Sequence, residues 1–129
     1  MVRRHTPSLS FEVFPPNPAV GNDKIFQALR EMQDLAPHFI SVTASNNKFD
    51  IEETTVRLTE FIANDLKIPT IAHLPAVYLT KDMVSNILQS LDRVGVHQIL
   101  ALRGDIFPDV APKDDFTYAT DLIEYIKTE

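Results

Sequence analysis

The feature that most constrains this chain is a strand-then-helix signal that recurs at nearly constant spacing. Runs with strand character begin at residues 9, 39, 70 and 98, so successive repeats are 30, 31 and 28 residues long. That length holds one β-strand, one helix and two short connections. With a helix between each pair of strands, tight hairpins are ruled out. The strands must be joined by crossovers, which are right-handed and leave them parallel.

Each repeat is legible in its residues. Leu9-Ser10-Phe11-Glu12-Val13-Phe14 alternates, is rich in β-formers, and stops at Pro15-Pro16, which cannot donate to a ladder. Asn22 is placed to cap a helix whose apolar residues Ile25, Leu29, Met32 and Ala36 keep a helical period, with Pro37 just beyond. The second strand, Phe39 to Thr43, runs into the polar turn Ala44-Ser45-Asn46-Asn47. Asp50 followed by Glu53 resembles a capping box, and Leu58, Phe61, Ile62 and Leu66 then form one face of a helix over 51–66.

Thr70-Ile71-Ala72-His73-Leu74 is the third strand. Thr80 caps the next helix, with Val84, Ile87, Leu88 and Leu91 on one face and Gly95 as its left-handed exit. Gln98 to Leu102 is the fourth strand, and its unbroken run Ile99-Leu100-Ala101-Leu102 predicts burial on both faces. It ends abruptly at Arg103-Gly104-Asp105. Thr117 is expected to cap a last helix with Leu122, Ile123 and Ile126 on its buried side, and the polar residues 1–7 read as loose.

Four βα units predict an α/β fold with parallel strands, shaped as half of a (βα)8 TIM-type barrel. A complete barrel needs about 250 residues, so the 129 residues read as a single partial domain, 1–129. A net charge of −6 argues against a nucleic-acid groove or an anionic membrane surface as partner. The absence of cysteine removes disulfides and thiolate metal sites. With no signal peptide and no apolar run of about 18 residues, the expected location is cytoplasmic.

In a parallel sheet the carboxyl ends of the strands gather on one rim, so Glu12, Thr43, His73 and Arg103-Gly104-Asp105 are expected to converge. Glu12 stands between large apolar groups that disfavour its charged form, which suits it to donate a proton near neutral pH. Structural roles are open to every one of these residues. Glu12 can face solvent or pair with Arg103, His73 can be a satisfied core histidine, Thr43 a turn hydroxyl, and Asp105 a turn cap with Arg103 as its partner. A divalent metal held by Glu12, His73 and Asp105 has suitable donors but no short-range ligand spacing, so no metal is expected. The carboxylate pair Glu12 and Asp105 also fits glycosidase-type acid and base work, although nothing marks a sugar site.

Five segments, in order, resemble the first half of bacterial methylenetetrahydrofolate reductase: Ser10-Phe11-Glu12-Val13-Phe14-Pro15-Pro16, Phe39-Ile40-Ser41-Val42-Thr43, Ala72-His73-Leu74, Leu100-Ala101-Leu102-Arg103-Gly104-Asp105 and Tyr118-Ala119-Thr120-Asp121-Leu122. The resemblance implies a flavin barrel that uses FAD, with NAD(P)H as hydride donor, to reduce the small-molecule folate 5,10-methylenetetrahydrofolate to 5-methyltetrahydrofolate. It implies that Glu12 is the general acid that helps open the folate's five-membered ring, and that Asp105 lies by the flavin's pyrimidine edge and the pterin. It further implies flavin contacts from Thr43, His73, Arg103 and Gly104, with Tyr118 and Ala119 bordering the rest of FAD. Many members have a glycine shortly after the threonine of strand two, where this chain has Ala44-Ser45-Asn46-Asn47. A homo-oligomer is expected, and the 129 residues alone are expected to lack activity. The competing expectation is a non-catalytic half-barrel module that self-associates to cover its open edges.

Overall fold

The computed structural model describes residues 7–17, 21–44 and 50–129. The loose amino terminus expected over residues 1–6 and the Ser45-Asn46-Asn47 turn lie outside the described residues. Four strands form one sheet in the order β1 (Ser10–Val13), β2 (Phe39–Val42), β3 (Thr70–Pro75) and β4 (Gln98–Leu102), and all neighbouring pairs are parallel. Strand order equals sequence order. That is the arrangement of half a (βα)8 barrel, as the repeat predicts.

The helices cover one face of this sheet. Helix α1 (Asp23–Gln33) and the second helical segment bury Leu29, Leu58, Phe61 and Ile62 against Val13, Ile40 and Val42 of β1 and β2. Phe26 and Phe61 stack with centroids 3.9 Å apart, and the Arg30 guanidinium carbon sits 5.3 Å from the Phe61 centroid. Helix α3 (Lys81–Arg93) and helix α4 (Ala119–Thr128) bury Val84, Ile87, Leu91 and Leu122 against Ala72 and Leu74 of β3. Two apolar clusters thus share one sheet, and each is built from helix residues at helical period and from alternate residues of the strands.

Several local expectations need correction. Helix α1 ends at Gln33, short of Ala36, because Ala36 takes a left-handed φ of 50°, and Asn22 makes no side-chain cap bond. The second segment is not a uniform α-helix: a short α2 (Arg57–Glu60) is flanked by π-helical turns at Glu52–Val56 and Phe61–Asp65. The capping box is absent there too, since the Asp50 carboxylate accepts from the Glu52 amide at 2.8 Å. Thr117 does not cap α4; its amide and that of Tyr118 both donate to the Asp121 carboxylate, at 3.1 and 2.9 Å. Ile123 is 39% exposed, so only Leu122 and Ile126 of the expected trio pack inward. Thr80 behaves as expected, accepting from the Met83 amide at 3.2 Å, and Gly95 leaves α3 at a φ of 79°.

Strand β4 departs most from its reading. Ile99 and Ala101 pack on the helix-side core, whereas Leu100 and Leu102 are 45% and 38% exposed. At β4 the face of the sheet opposite the helices is left partly open, so the apolar run has one covered side and one open side.

Leu74 is fully buried, and its backbone pairs with Ala101 of β4. Leu74→Ala is expected to cost about 2–5 kcal/mol through lost transfer energy and a residual cavity, measured as a lower midpoint in urea unfolding of this chain. A loss below about 1 kcal/mol would mean the site collapses freely and the core is not packed as described.

Candidate functional site

The open face of the sheet is where the chemistry gathers. Register sets which side chains share it: Glu12 lies opposite Ser41, and His73 lies opposite Leu100. The Thr43 amide continues the ladder by donating to the Val13 carbonyl at 3.0 Å. Side chains alternate between faces along a strand. Glu12, Thr43, His73, Leu100 and Leu102 therefore project away from the helix-side core.

These residues line a cavity of about 560 Å³, whose wall also includes Phe14, Pro75, Tyr78, Gly104, Asp105 and Phe107. Five sequence-predicted residues, Glu12, Thr43, His73, Gly104 and Asp105, meet there from all four strands or the loops that follow them. Arg103, Tyr118 and Ala119 do not line it. Arg103 is exposed and its Nε donates to the Gly104 carbonyl at 3.3 Å. Tyr118 is 62% exposed at the start of α4. No Glu12–Arg103 pair forms, and no three His, Cys, Asp or Glu side chains among the described residues are grouped to hold a metal ion.

Glu12 is not desolvated as its apolar neighbours suggested. Phe11 and Val13 belong to the helix-side face, so they flank Glu12 in sequence but not in space, and its side chain is 55% exposed. Its nearest charged or chargeable neighbour is His73, with Nε2 3.7 Å from Oε1. His73 itself is 4% exposed, and Nε2 has no hydrogen-bond partner. The reading of His73 as a satisfied core histidine therefore fails. Thr43 shows the same pattern: its Oγ1 is buried and unpartnered, while its carbonyl accepts from the Thr55 hydroxyl at 2.9 Å. A buried polar atom without a partner costs about 1–3 kcal/mol. Both atoms lie on one cavity wall, where each is available to a polar group placed in the cavity.

The loop after β4 is held in place by backbone as well as side chains. Gly104 has a φ of 92°, and a Cβ there would stand 3.0 Å from the Pro75 Cβ and 3.3 Å from Val77 Cγ2. Only glycine fits this close approach without strain. Tyr78 was not anticipated from the sequence. Its hydroxyl donates to the Asp105 carbonyl at 2.6 Å and accepts from the Phe107 amide at 3.0 Å, which fixes the segment carrying the Asp105 carboxylate. No signal in the sequence marked it, because both partners are backbone groups, 27 and 29 residues away.

Burial pushes the His73 imidazole below its ordinary value of 6.5, and the Glu12 carboxylate offsets this only in part. Below 6.5 the unfolded chain then binds the proton more readily than the folded one. Stability rises with pH across that window and falls as pH drops from about 6.5 toward the folded value. Thermal midpoints at stepped pH should show this slope, and His73→Gln should flatten it; an equal slope in the variant would trace it to other groups. Tyr78→Phe should cost about 1–3 kcal/mol by leaving the Asp105 carbonyl and the Phe107 amide short of a partner, read by urea unfolding. A neutral effect would show that the loop finds other bonds.

The whole chain, residues 1–129, matches the family model described as methylenetetrahydrofolate reductase. It is 34% identical to the 5,10-methylenetetrahydrofolate reductase of Buchnera aphidicola, over 94% of this chain and 40% of the relative. It is 30% identical to methylenetetrahydrofolate reductase 1 of Schizosaccharomyces pombe, over 92% of this chain and 20% of the relative. For the Escherichia coli 5,10-methylenetetrahydrofolate reductase the identity is 28%, over 93% of this chain and 40% of the relative. The chain thus spans about 40% of the length of the bacterial relatives it matches. On a family match that runs from the first residue to the last, borne by a parallel βα sheet, this chain belongs to the methylenetetrahydrofolate reductase family.

Proposed function

We propose that this chain supplies the amino-terminal strands of a barrel that reduces 5,10-methylenetetrahydrofolate to 5-methyltetrahydrofolate, with FAD as cofactor and NAD(P)H as electron source. The observation that carries this reading is the convergence of Glu12, Thr43, His73, Gly104 and Asp105, from every strand or its following loop, on one cavity. The residues present fit a flavin. Leu100, Leu102 and Pro75 offer an apolar surface for a flat ring, the His73 ring lies on the same wall to contact it, and the unpartnered Thr43 hydroxyl awaits its polar edge. FAD, when bound, would carry the hydride between NAD(P)H and the folate.

The chain's own part is orientation and proton supply. Glu12 donates a proton to a nitrogen of the folate's five-membered ring, so that the carbon–nitrogen bond breaks with its electron pair leaving on that nitrogen. Asp105 presents its carboxylate to the pyrimidine edge and the pterin from a loop that Gly104 and Tyr78 hold fixed. Arg103, Tyr118 and Ala119, which do not line the cavity, would contact the cofactor beyond it. The exposure of Glu12 and Leu100 supports a site completed by further chain, so the 129 residues alone would turn over little folate and hold FAD weakly.

A second reading is favoured by the same open face. Phe14 is 69% exposed, and β1 and β4 each have a single sheet neighbour among the described residues. Unpaired edges beside apolar surface favour self-association, giving a homo-oligomer without catalysis. Sedimentation at several concentrations, with a flavin absorbance spectrum, separates the two: a colourless, concentration-dependent dimer supports the module.

In the full-length reductase, Glu12→Gln is expected to lower folate reduction by about a hundredfold or more, the usual size of a positioned acid's contribution. Oxidation of NAD(P)H by the flavin should stay within a few-fold of the parent. Stopped-flow measurement of the two half-reactions checks this, and normal folate turnover in the variant would remove Glu12 from the proposed role.

A further inference from the structure

We propose that His73 is a positioning residue for Glu12, its Nε2–H holding one carboxyl oxygen so that the other carries the proton toward substrate. The inference rests on the proton-donor role proposed for Glu12. Its ground is geometric. Nε2 lies 3.7 Å from Oε1, too long for a hydrogen bond but close enough for a small side-chain rotation to make one. His73 cannot move to meet another partner, because it is 4% exposed within a strand paired on both sides. Glu12 can move, since its side chain is 55% exposed and sits on an edge strand.

A filled cavity would displace the water around Glu12 and leave His73 Nε2 as the nearest donor. The other titratable groups lining that cavity are Tyr78, from the turn after β3, and Asp105, from the loop after β4. The Tyr78 hydroxyl already serves two backbone groups, and Asp105 forms no ion pair with His73 among the described residues. Glu12 is thus the partner open to Nε2. Burial keeps the imidazole neutral near pH 7, which leaves it a donor through Nε2–H without adding a charge that would hold Glu12 ionised.

Two variants in the full-length reductase test this. His73→Leu keeps the volume and removes the donor; His73→Gln keeps a nitrogen near the Nε2 position. With rates taken per bound flavin, His73→Leu is expected to lower kcat for folate reduction on the order of a hundredfold, as misplacement of a reacting group does. The KM should change less, and His73→Gln should recover most of the loss. Equal defects in the two variants would overturn the positioning role. Independently, NMR titration of the His73 ring in this chain should shift further below its parent value in Glu12→Gln, because the carboxylate is the one raising influence on it. An unmoved titration would also overturn the proposal. If Glu12→Gln itself kept full folate turnover, the underlying reading would fail; if that variant were inactive and His73→Leu fully active, only the positioning role would fall.

Discussion

The parallel ladder is the constraint on which the rest depends. A parallel pair forces every strand to run the same way, so whatever follows each strand is delivered to the same edge of the sheet. Here β1 pairs with β2, β2 with β3, and β3 with β4, without a break in order. Glu12, Thr43, His73 and Asp105 are up to 93 residues apart in sequence, and nothing local draws them together. The ladder does so, and the helices on the other face supply the burial that holds it: Leu29, Leu58, Ile62, Val84, Leu91 and Leu122 are all at most 1% exposed.

That division of labour explains what was legible in the sequence. The repeat, the parallel order and the helix-side residues could be read because apolar periodicity records burial against a neighbour. The open face left no such record. Ile99-Leu100-Ala101-Leu102 is apolar at every position, but two of those side chains face core and two face a cavity, and a hydrophobic run does not distinguish them. Glu12 was misread for the converse reason. Its sequence neighbours Phe11 and Val13 point to the other side of the strand, so adjacency in the chain said nothing about its surroundings.

Other features were hidden because they live in the backbone or in distant pairs. The π-helical turns at Glu52–Val56 and Phe61–Asp65 shift hydrogen bonds by one residue, with the Val56 amide donating to the Ile51 carbonyl and the Leu66 amide to the Phe61 carbonyl. Leu58, Phe61, Ile62 and Leu66 all stay in one buried cluster across the second turn, so their helical spacing gave no sign of it. The role of Tyr78 depends on carbonyl and amide groups 27 and 29 residues away, which carry no side-chain identity to recognise. Gly104 was singled out for its place at a strand end. The reason that position requires glycine is its contact with Pro75 and Val77 of the preceding repeat.

The buried polar groups provide an internal comparison. On and behind the helix side, Thr54, Thr55, Thr59 and Thr70 are all buried, and each hydroxyl donates to a carbonyl: those of Asp50, Thr43, Val56 and Ile68 at 2.9, 2.9, 2.6 and 2.8 Å. The fold therefore satisfies buried hydroxyls where it has freedom to do so. Thr43 Oγ1 and His73 Nε2 stand apart from that pattern, and both line the cavity. Thr43 and Thr55 make the contrast sharp, because the same two residues bond to each other through the Thr43 carbonyl while the Thr43 hydroxyl stays unused. Their desolvation, about 1–3 kcal/mol each, is a cost that packing of the core does not require. A bound ligand edge or a reoriented Glu12 would recover it. Among the described residues, the unpartnered buried side-chain atoms are thus confined to the wall of one cavity, while the buried threonine hydroxyls of the helix side are all satisfied.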